Sequence, residues 1–391
     1  MKPINEKLDV LKERIKDRKA RVLIMGLGSV GMYLLDYLLS AKDSGMEICV
    51  AGRSGEKMAS DVNIVRVASL IRGQNRADVK IRSGVDLGDI DSVTACIREF
   101  GPDIIVNSSR AYSGLKYGSI SWKNVRAYGI WAPLAIKYVK NIMEAYERAE
   151  SDAVVINTSY SDAVIPWLKS AGKAYPDFGS GNVNHLIPRI RFAVSKECGI
   201  EDYWNIDVTY AVSHFHDVVI SKEGQTEQVS QLIDIRYRNR KLEPDLDRIF
   251  RACRIPMPAD AKRNMMNASS NYEIIEGILL TAREGGRVKV HCPGAFGEIG
   301  GYPVVIDGTG THMSASIDET CFDLERMRRK NRESIYLDGI ENVEAGVLTY
   351  TDELIEKCRD AFGIRLMKQV AFEEIEEAAR FLITEVIEKN R

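Results

Sequence analysis

Between residues 20 and 165 the chain alternates short apolar runs with longer stretches of helical spacing. The run at 22–25 and those inside "MEICVAGRSGEK", "VKIRSGVDL", "DIIVNSS" and "AVVINTSY" read as buried strands. Residues 90–100 and 124–149 read as helices, and Tyr33, Leu34, Leu35, Tyr37, Leu38 and Leu39 repeat at helical spacing. Strand alternating with helix predicts a parallel, doubly wound sheet, with ligands at the carboxyl ends of its strands. The β-branched content of 212–219 predicts an extended segment, and 221–247 a charged strand pair. Residues 352–391 are helical by pattern. The apolar face of 372–390 (Phe372, Ile375, Ala378, Phe381, Leu382, Val386) is expected to dock on its own subunit. A chain of 391 residues exceeds one ordinary core. Three units are expected: a charged N-terminal helix over 1–19, a nucleotide-binding domain over 20–165, and an α/β substrate and oligomerisation domain over 166–391.

The first strand runs into Gly26-Leu27-Gly28-Ser29-Val30-Gly31, a GxGxxG between strand and helix. Gly26 permits the sharp turn, Gly28 lets a pyrophosphate approach the backbone, and Gly31 lets helix pack on strand. Ser29 and Val30 open the helix whose N-terminus faces the phosphates. This predicts a Rossmann domain binding a dinucleotide. The second strand ends at Gly52-Arg53-Ser54. An NAD site usually carries a carboxylate here, whereas Arg53 and Ser54 suit a ribose 2′-phosphate, so NADP is expected, with NAD the other possibility. Asn107, Ser108 and Asn157 fall at strand ends near that cofactor, although the asparagines suit a simple turn-forming role as well.

Charge and composition narrow the partners. A net charge of -2 with 28% charged residues gives no reason to expect nucleic acid, and "RMRRKNR" at 326–332 reads as a solvated helix face. The seven cysteines form no CxxC pair and are odd in number, which suits reduced thiols in a cytoplasm. The charged N-terminus does not resemble a secretory signal, and no window of about 18 apolar residues suggests a membrane span.

With these motifs in order, the chain resembles the lactate/malate dehydrogenase family from about residue 20 to 362. "GLGSVG" resembles its glycine turn, and "DIIVNSSRAYSG" its fourth strand and the start of its mobile loop. "AVVINTSYSD" resembles the strand with its Asn-Pro segment. "FGSGNVNHLIPRIRF" is similar to its Gly-Ser-Gly turn and catalytic helix, with Arg189 and Arg191 as the Arg-x-Arg pair. "AVSHFHDVV" falls at its Gly-Glu-His-Gly-Asp loop, and "PGAFGEIGGYPVVIDGTG" resembles its late hairpin. The resemblance implies a Rossmann doubly wound sheet followed by an α+β substrate domain. It also implies hydride transfer between a nicotinamide and a 2-hydroxy/2-keto acid, with an arginine, here Arg189, gripping the substrate carboxylate.

The departures from that family bear on chemistry. Leu186 stands where the family has its orienting aspartate. If Asp217 matches the loop aspartate, Phe215 stands at the histidine position, so the usual Asp-His dyad is absent. Three of the five histidines, His185, His214 and His216, lie in these two segments. An extended 212–219 turns His214 and His216 to one face. The sequence leaves three readings: a rebuilt acid/base site using these imidazoles, with His185 or Asn184 as polar partner; a metal site; or ordinary polar residues at a seam. His291 and His312 read as structural or exposed. Arg110, Lys116 and Arg126 are candidates for an anionic substrate, each open to a surface role.

The resulting expectation is an NADP-dependent oxidoreductase acting on a small carboxylate-bearing hydroxy, keto or amino acid, working as a homodimer or homotetramer. The alternatives are a metal- and nicotinamide-dependent enzyme similar to family 4 glycosidases, and a non-catalytic cofactor-binding sensor or scaffold.

Overall fold

The computed structural model describes residues 1–41, 45–73, 77–112 and 114–390. Six parallel strands form the first sheet: β1 (Ala20–Met25), β2 (Met46–Ala51), β3 (Asp78–Arg82), β4 (Ile104–Asn107), β5 (Val154–Asn157) and β6 (Phe178–Gly179), in the order β3-β2-β1-β4-β5-β6. That order reverses between β1 and β4, which opens a crevice at their carboxyl ends. Val22, Leu23, Ile24, Ile104, Ile105, Val106, Val154, Val155 and Ile156 are all inaccessible to solvent. Strands covered on both faces must be apolar throughout, which is why they read as continuous runs. The expected doubly wound sheet is therefore present.

The second half adds three antiparallel sheets. One joins β7 (Ile206–Ala211) to β8 (Leu232–Tyr237) and β9 (Arg240–Leu242), so the charged 221–247 stretch does carry a strand pair. A second contains the late hairpin, Arg287–Pro293 against Gly301–Asp307. The basic 326–332 run lies in the helix Leu324–Leu337, with Met327 and Asn331 turned inward. The C-terminal apolar face docks as expected: Ile375, Ala378, Leu382 and Val386 are buried, and Phe372 and Phe381 are partly so, in the cluster that includes Val139 and Met143 of the helix Ala132–Arg148.

The N-terminal helix Ile4–Asp17 is tied down by a buried charge. Lys7 and Asp177 are 0% and 2% exposed and their Nζ and Oδ2 are 2.8 Å apart. Asp177 Oδ2 also accepts the Val155 amide at 2.9 Å. Removing one partner strands the other without water, a loss of about 3–5 kcal/mol. No described helix is long and apolar enough to cross a membrane, and the seven cysteines are all free thiols.

One expected element is wrong. Residues 214–223 are not extended: β7 ends at Ala211, and His214–Glu223 is a helix beginning after Ser213. β-Branched residues favour a strand only weakly, and here Phe215, Val219 and Ile220 bury one side of a helix instead. In a helix, residues two apart point to nearly opposite sides, so His214 and His216 do not share a face.

Candidate functional site

A cleft of about 530 Å³ opens at the carboxyl end of the sheet. The glycine turn forms one wall. Gly26 has φ +93° and Gly31 sits so close to the Gly26 carbonyl that a β-carbon there would collide with it. Gly28 faces open space and precedes the helix Ser29–Ser40, whose first turn has no side-chain cap. Its amides are therefore free to receive an anion. Gly28, Ser29, Val30 and Ser108 line the cleft, whereas Gly26 and Gly31 do not. Ser108 Oγ donates to the Gly26 carbonyl at 2.6 Å, holding the turn.

Asn107 and Asn157 do not reach the cleft. Asn107 Nδ2 donates to Asn157 Oδ1 at 2.8 Å, and Asn157 Nδ2 donates to the Ser159 carbonyl and Ser161 Oγ. They are buried strand-end crosslinks that do not line the cleft, which agrees with the simple strand-end role the sequence also allowed. Arg53 is exposed in the loop after β2, and Ser54 caps the helix Gly55–Ile71 by accepting the Lys57 amide.

The opposite wall comes from two helices. Val183–Cys198 brings His185 and Arg189, and His214–Glu223 brings His214, Asp217, Val218, Ser221 and Lys222. His214, Asp217, Val218 and Ser221 are spaced i, i+3, i+4, i+7, one helical face. His216 is on the other side, fully buried. Its Nε2 donates to the Thr226 carbonyl at 3.2 Å, which fixes Nδ1 as acceptor for Ser334 Oγ at 2.7 Å. Burial pushes its pKa down to about 4. The expectation that His216 serves the site is corrected: it pins one helix to another. For the same reason the chelating His-x-His of an extended strand does not form, and among the described residues no cluster of three His, Cys, Asp or Glu side chains is arranged for a metal ion.

His214 has the partner that the sequence hid. Its Nδ1 lies 2.9 Å from Asp338 Oδ2, and Asp338 is wholly buried just after the helix Leu324–Leu337. The same carboxylate accepts the Tyr160 hydroxyl at 2.7 Å and the Tyr128 amide at 2.7 Å. Because a carboxylate only accepts, Nδ1 carries the proton and Nε2 is left as the basic nitrogen. The Tyr128 and Tyr160 rings meet the imidazole edge-on, with centroids 4.7 and 5.1 Å away. Burial works against the imidazolium, but Asp338, with Asp162 and Asp217 behind it, outweighs that and raises the His214 pKa. Asp162 also accepts the His214 backbone amide at 3.0 Å and the Asn182 amide at 2.6 Å. Asn182 is held at φ +30°, a strained value for a non-glycine residue, in the turn opening the arginine helix.

Leu186, in the aspartate position of the resemblance, is fully buried in a hydrophobic cluster. Asn184 Nδ2 donates to Ser270 Oγ at 3.0 Å and to the Glu273 carboxylate. His185 lines the cleft, but burial, with Arg263 and Arg189 nearby, lowers its pKa to about 3. It is a neutral side chain throughout the working range.

Arg189 is 4% exposed, lines the cleft and donates to the Cys253 carbonyl at 3.0 Å, while its Nε has no partner. Arg110, Lys222 and Arg263 add positive charge to the same cleft. Arg126 does not: its guanidinium is paired with Glu223 and Glu227. The side chain of Lys116 lies outside the described residues. His291 is buried and accepts the Tyr210 amide, and His312 is exposed beside Asp9, both as expected. Sequence reasoning missed Asp338, Asp162, Asn182, Lys222 and Arg263. Only the first-turn position of Asp217 three residues from His214 carried a signal, and it needed the helix to be read.

A Rossmann sheet joined to an antiparallel second half is the fold of lactate and malate dehydrogenases. No family model matches the sequence, and no curated protein matches it by sequence. Solved structures do match. A lactate dehydrogenase from Cryptosporidium parvum, complexed with lactic acid and nicotinamide adenine dinucleotide, aligns with a TM-score of 0.53 at 12% identity, over 82% of this chain and 97% of that one. A malate dehydrogenase from Picrophilus torridus aligns with a TM-score of 0.55 at 13% identity, over 82% and 96%. One from Aeropyrum pernix gives 0.52 at 14%, over 81% and 97%. At these identities the likeness shows the fold.

Proposed function

We propose that this protein is a nicotinamide-dependent oxidoreductase acting on a small carboxylate-bearing hydroxy, keto or amino acid. The observation that carries this is the His214–Asp338 pair, set across one cleft from an uncapped glycine-turn helix. The residues present fit a dinucleotide: Gly26, Gly28 and Gly31 leave room for a pyrophosphate, and the first-turn amides of Ser29, Val30 and Gly31 supply donors. When bound, the nicotinamide would accept or supply a hydride. The chain's own residues do the rest. Arg189 binds the substrate carboxylate, Asp338 fixes the tautomer of His214, and His214 Nε2 takes or returns the substrate proton. His185, neutral and enclosed, shapes the wall between Arg189 and the glycine turn. Arg110, at the start of the loop beyond β4, adds positive charge at the cleft mouth.

Arg53 and Ser54 support NADP over NAD, since a guanidinium pairs with a 2′-phosphate where a carboxylate would repel it. The division into a cofactor domain over 20–165 and a substrate domain over 166–391 belongs to the same reading, as do a homodimer or homotetramer and a cytoplasmic setting. Calorimetric titration with NADPH and NADH, followed by turnover of a panel of 2-hydroxy, 2-keto and 2-amino acids by wild type and His214→Ala, tests it. Absence of cofactor binding would overturn it. Cofactor binding with no turnover on any panel member would favour a sensor or scaffold instead.

A further inference from the structure

One group on the cleft is left over by that scheme. Asp217 is 7% exposed and lines the cleft one helical turn beyond His214, and its Oδ1 is buried with no hydrogen-bond partner. A buried acceptor left unpaired costs about 1–3 kcal/mol, and more when charged, so a ligand that supplies a donor is strongly favoured there. None of the four cations on the cleft, Arg110, Arg189, Lys222 and Arg263, forms a hydrogen bond with Asp217 Oδ1. Arg189 spends Nη1 on the Cys253 carbonyl and Nη2 on Met257 Sδ, both at 3.0 Å. Lys222 lies over the Trp122 and Tyr128 rings, at 5.1 and 5.9 Å from their centroids. What remains open is a buried Arg189 Nε–H with no partner, two unpartnered acceptors in the Asp217 Oδ1 and the Nε2 of the neutral His185, and the basic Nε2 of His214.

These four groups ask for a ligand with one acceptor and two or more donor hydrogens on neighbouring atoms. A 2-hydroxy acid offers a carboxylate and a single O–H. If that proton goes to His214, Asp217 stays unpaired. A primary ammonium carries three N–H donors and serves both. We propose, on the oxidoreductase reading above, that the substrate is an α-amino acid, its carboxylate on Arg189 and its ammonium shared between Asp217 and His214.

The reaction balances without another reagent class. The Cα–H bond breaks and its electron pair leaves as hydride to the oxidised nicotinamide. One ammonium proton passes to His214 Nε2, and the nitrogen lone pair closes C=N to give the iminium acid. Water then adds and ammonium departs, leaving the 2-keto acid. Burial pushes the Asp217 pKa up to about 7; a bound ammonium favours its carboxylate form, which then holds the nitrogen in both its ammonium and iminium forms. Asp217 is the residue that separates an amino substrate from a hydroxy one.

The test uses full-length protein saturated with NADPH or NADH, so that binding is read without turnover. Calorimetry compares matched pairs: L-glutamate with 2-hydroxyglutarate, L-alanine with lactate, L-leucine with 2-hydroxyisocaproate, and so on through the common side chains. At least one amino member should bind about tenfold or more tighter than its hydroxy partner, the value of one charge-assisted hydrogen bond. Asp217→Asn should bring that ratio close to one while cofactor affinity, measured in the same cell, stays at the wild-type value. Cofactor binding with the hydroxy acids preferred, or with no amino acid bound, overturns the amino-acid assignment alone. A wild-type preference that Asp217→Asn leaves unchanged overturns the role of Asp217. Failure of both cofactors to bind overturns the oxidoreductase reading and this one with it.

Discussion

His214 and Asp338 are 124 residues apart in the chain, yet their Nδ1 and Oδ2 are 2.9 Å apart in the fold. If His214 is the acid/base group, His214→Ala should lower kcat by ~10²–10⁴-fold while cofactor affinity holds. Asp338→Asn should lower the His214 pKa, read by NMR titration, and should flip the tautomer that leaves Nε2 basic. Oxidation by the wild type should rise with pH through the raised His214 value, and the profile of Asp338→Asn should break at lower pH. Because folding raises this pKa, the pair's contribution to stability is complete below the ordinary histidine range and is lost as pH rises through the folded value. An unmoved His214 titration in Asp338→Asn would show that the hydrogen bond does not govern the imidazole.

His216 should behave differently. It joins its helix to Ser334, four residues before Asp338, and so acts on the pair only by position. His216→Asn should cost ~1–3 kcal/mol of stability, seen in urea unfolding, with a smaller loss of kcat than His214→Ala. Its folded pKa of about 4 lies below the ordinary value, so its contribution is complete above pH ~6.5 and shrinks as pH falls toward 4. The stability gap between wild type and His216→Asn should therefore narrow on acidification. A gap that is flat from pH 7 to 4.5 would contradict the assignment of a neutral, buried imidazole.

Arg189 is predicted to serve substrate and not cofactor. Lysine has no planar fork and cannot reach the Cys253 carbonyl and a carboxylate together. Arg189→Lys should raise KM by ~10-fold or more, the worth of one charged hydrogen bond, at unchanged NADPH affinity. Equal losses in both would place the guanidinium in the cofactor site instead.

Cofactor preference should turn on Arg53. Exposed and beyond the end of β2, it can be exchanged without disturbing the core. Arg53→Glu should reverse or abolish a preference for NADPH over NADH in calorimetry, with Tm unchanged. Equal affinities for the two cofactors in wild type and variant would remove NADP from the proposal.

Much of this protein was legible in its sequence, and the reasons are local. The glycine turn needs a positive φ at Gly26 and no side chain at Gly31, and only glycine meets both demands where strand passes into helix. The sheet strands are buried on both faces, so Val22–Ile24, Ile104–Val106 and Val154–Ile156 had to be continuously apolar. Arg189 was singled out by the Arg-x-Arg pair it forms with Arg191, and it does line the cleft.

The rest was decided in three dimensions. Whether His214 and His216 share a face depended on strand or helix at 214, and there the burial of Phe215, Val219 and Ile220 against neighbouring elements overrode the β-branched signal. Asn107 and Asn157 stand at strand ends as read, but which way an amide turns depends on the amide beside it on the next strand. Asp338 is the clearest case. Nothing near it in "IYLDGI" marks it as special, and no spacing rule connects it to His214. It matters because packing carries the end of one helix to the start of another. A carboxylate buried there, with Tyr128, Tyr160 and His214 all donating to it, is a property of the assembled core and of no segment alone.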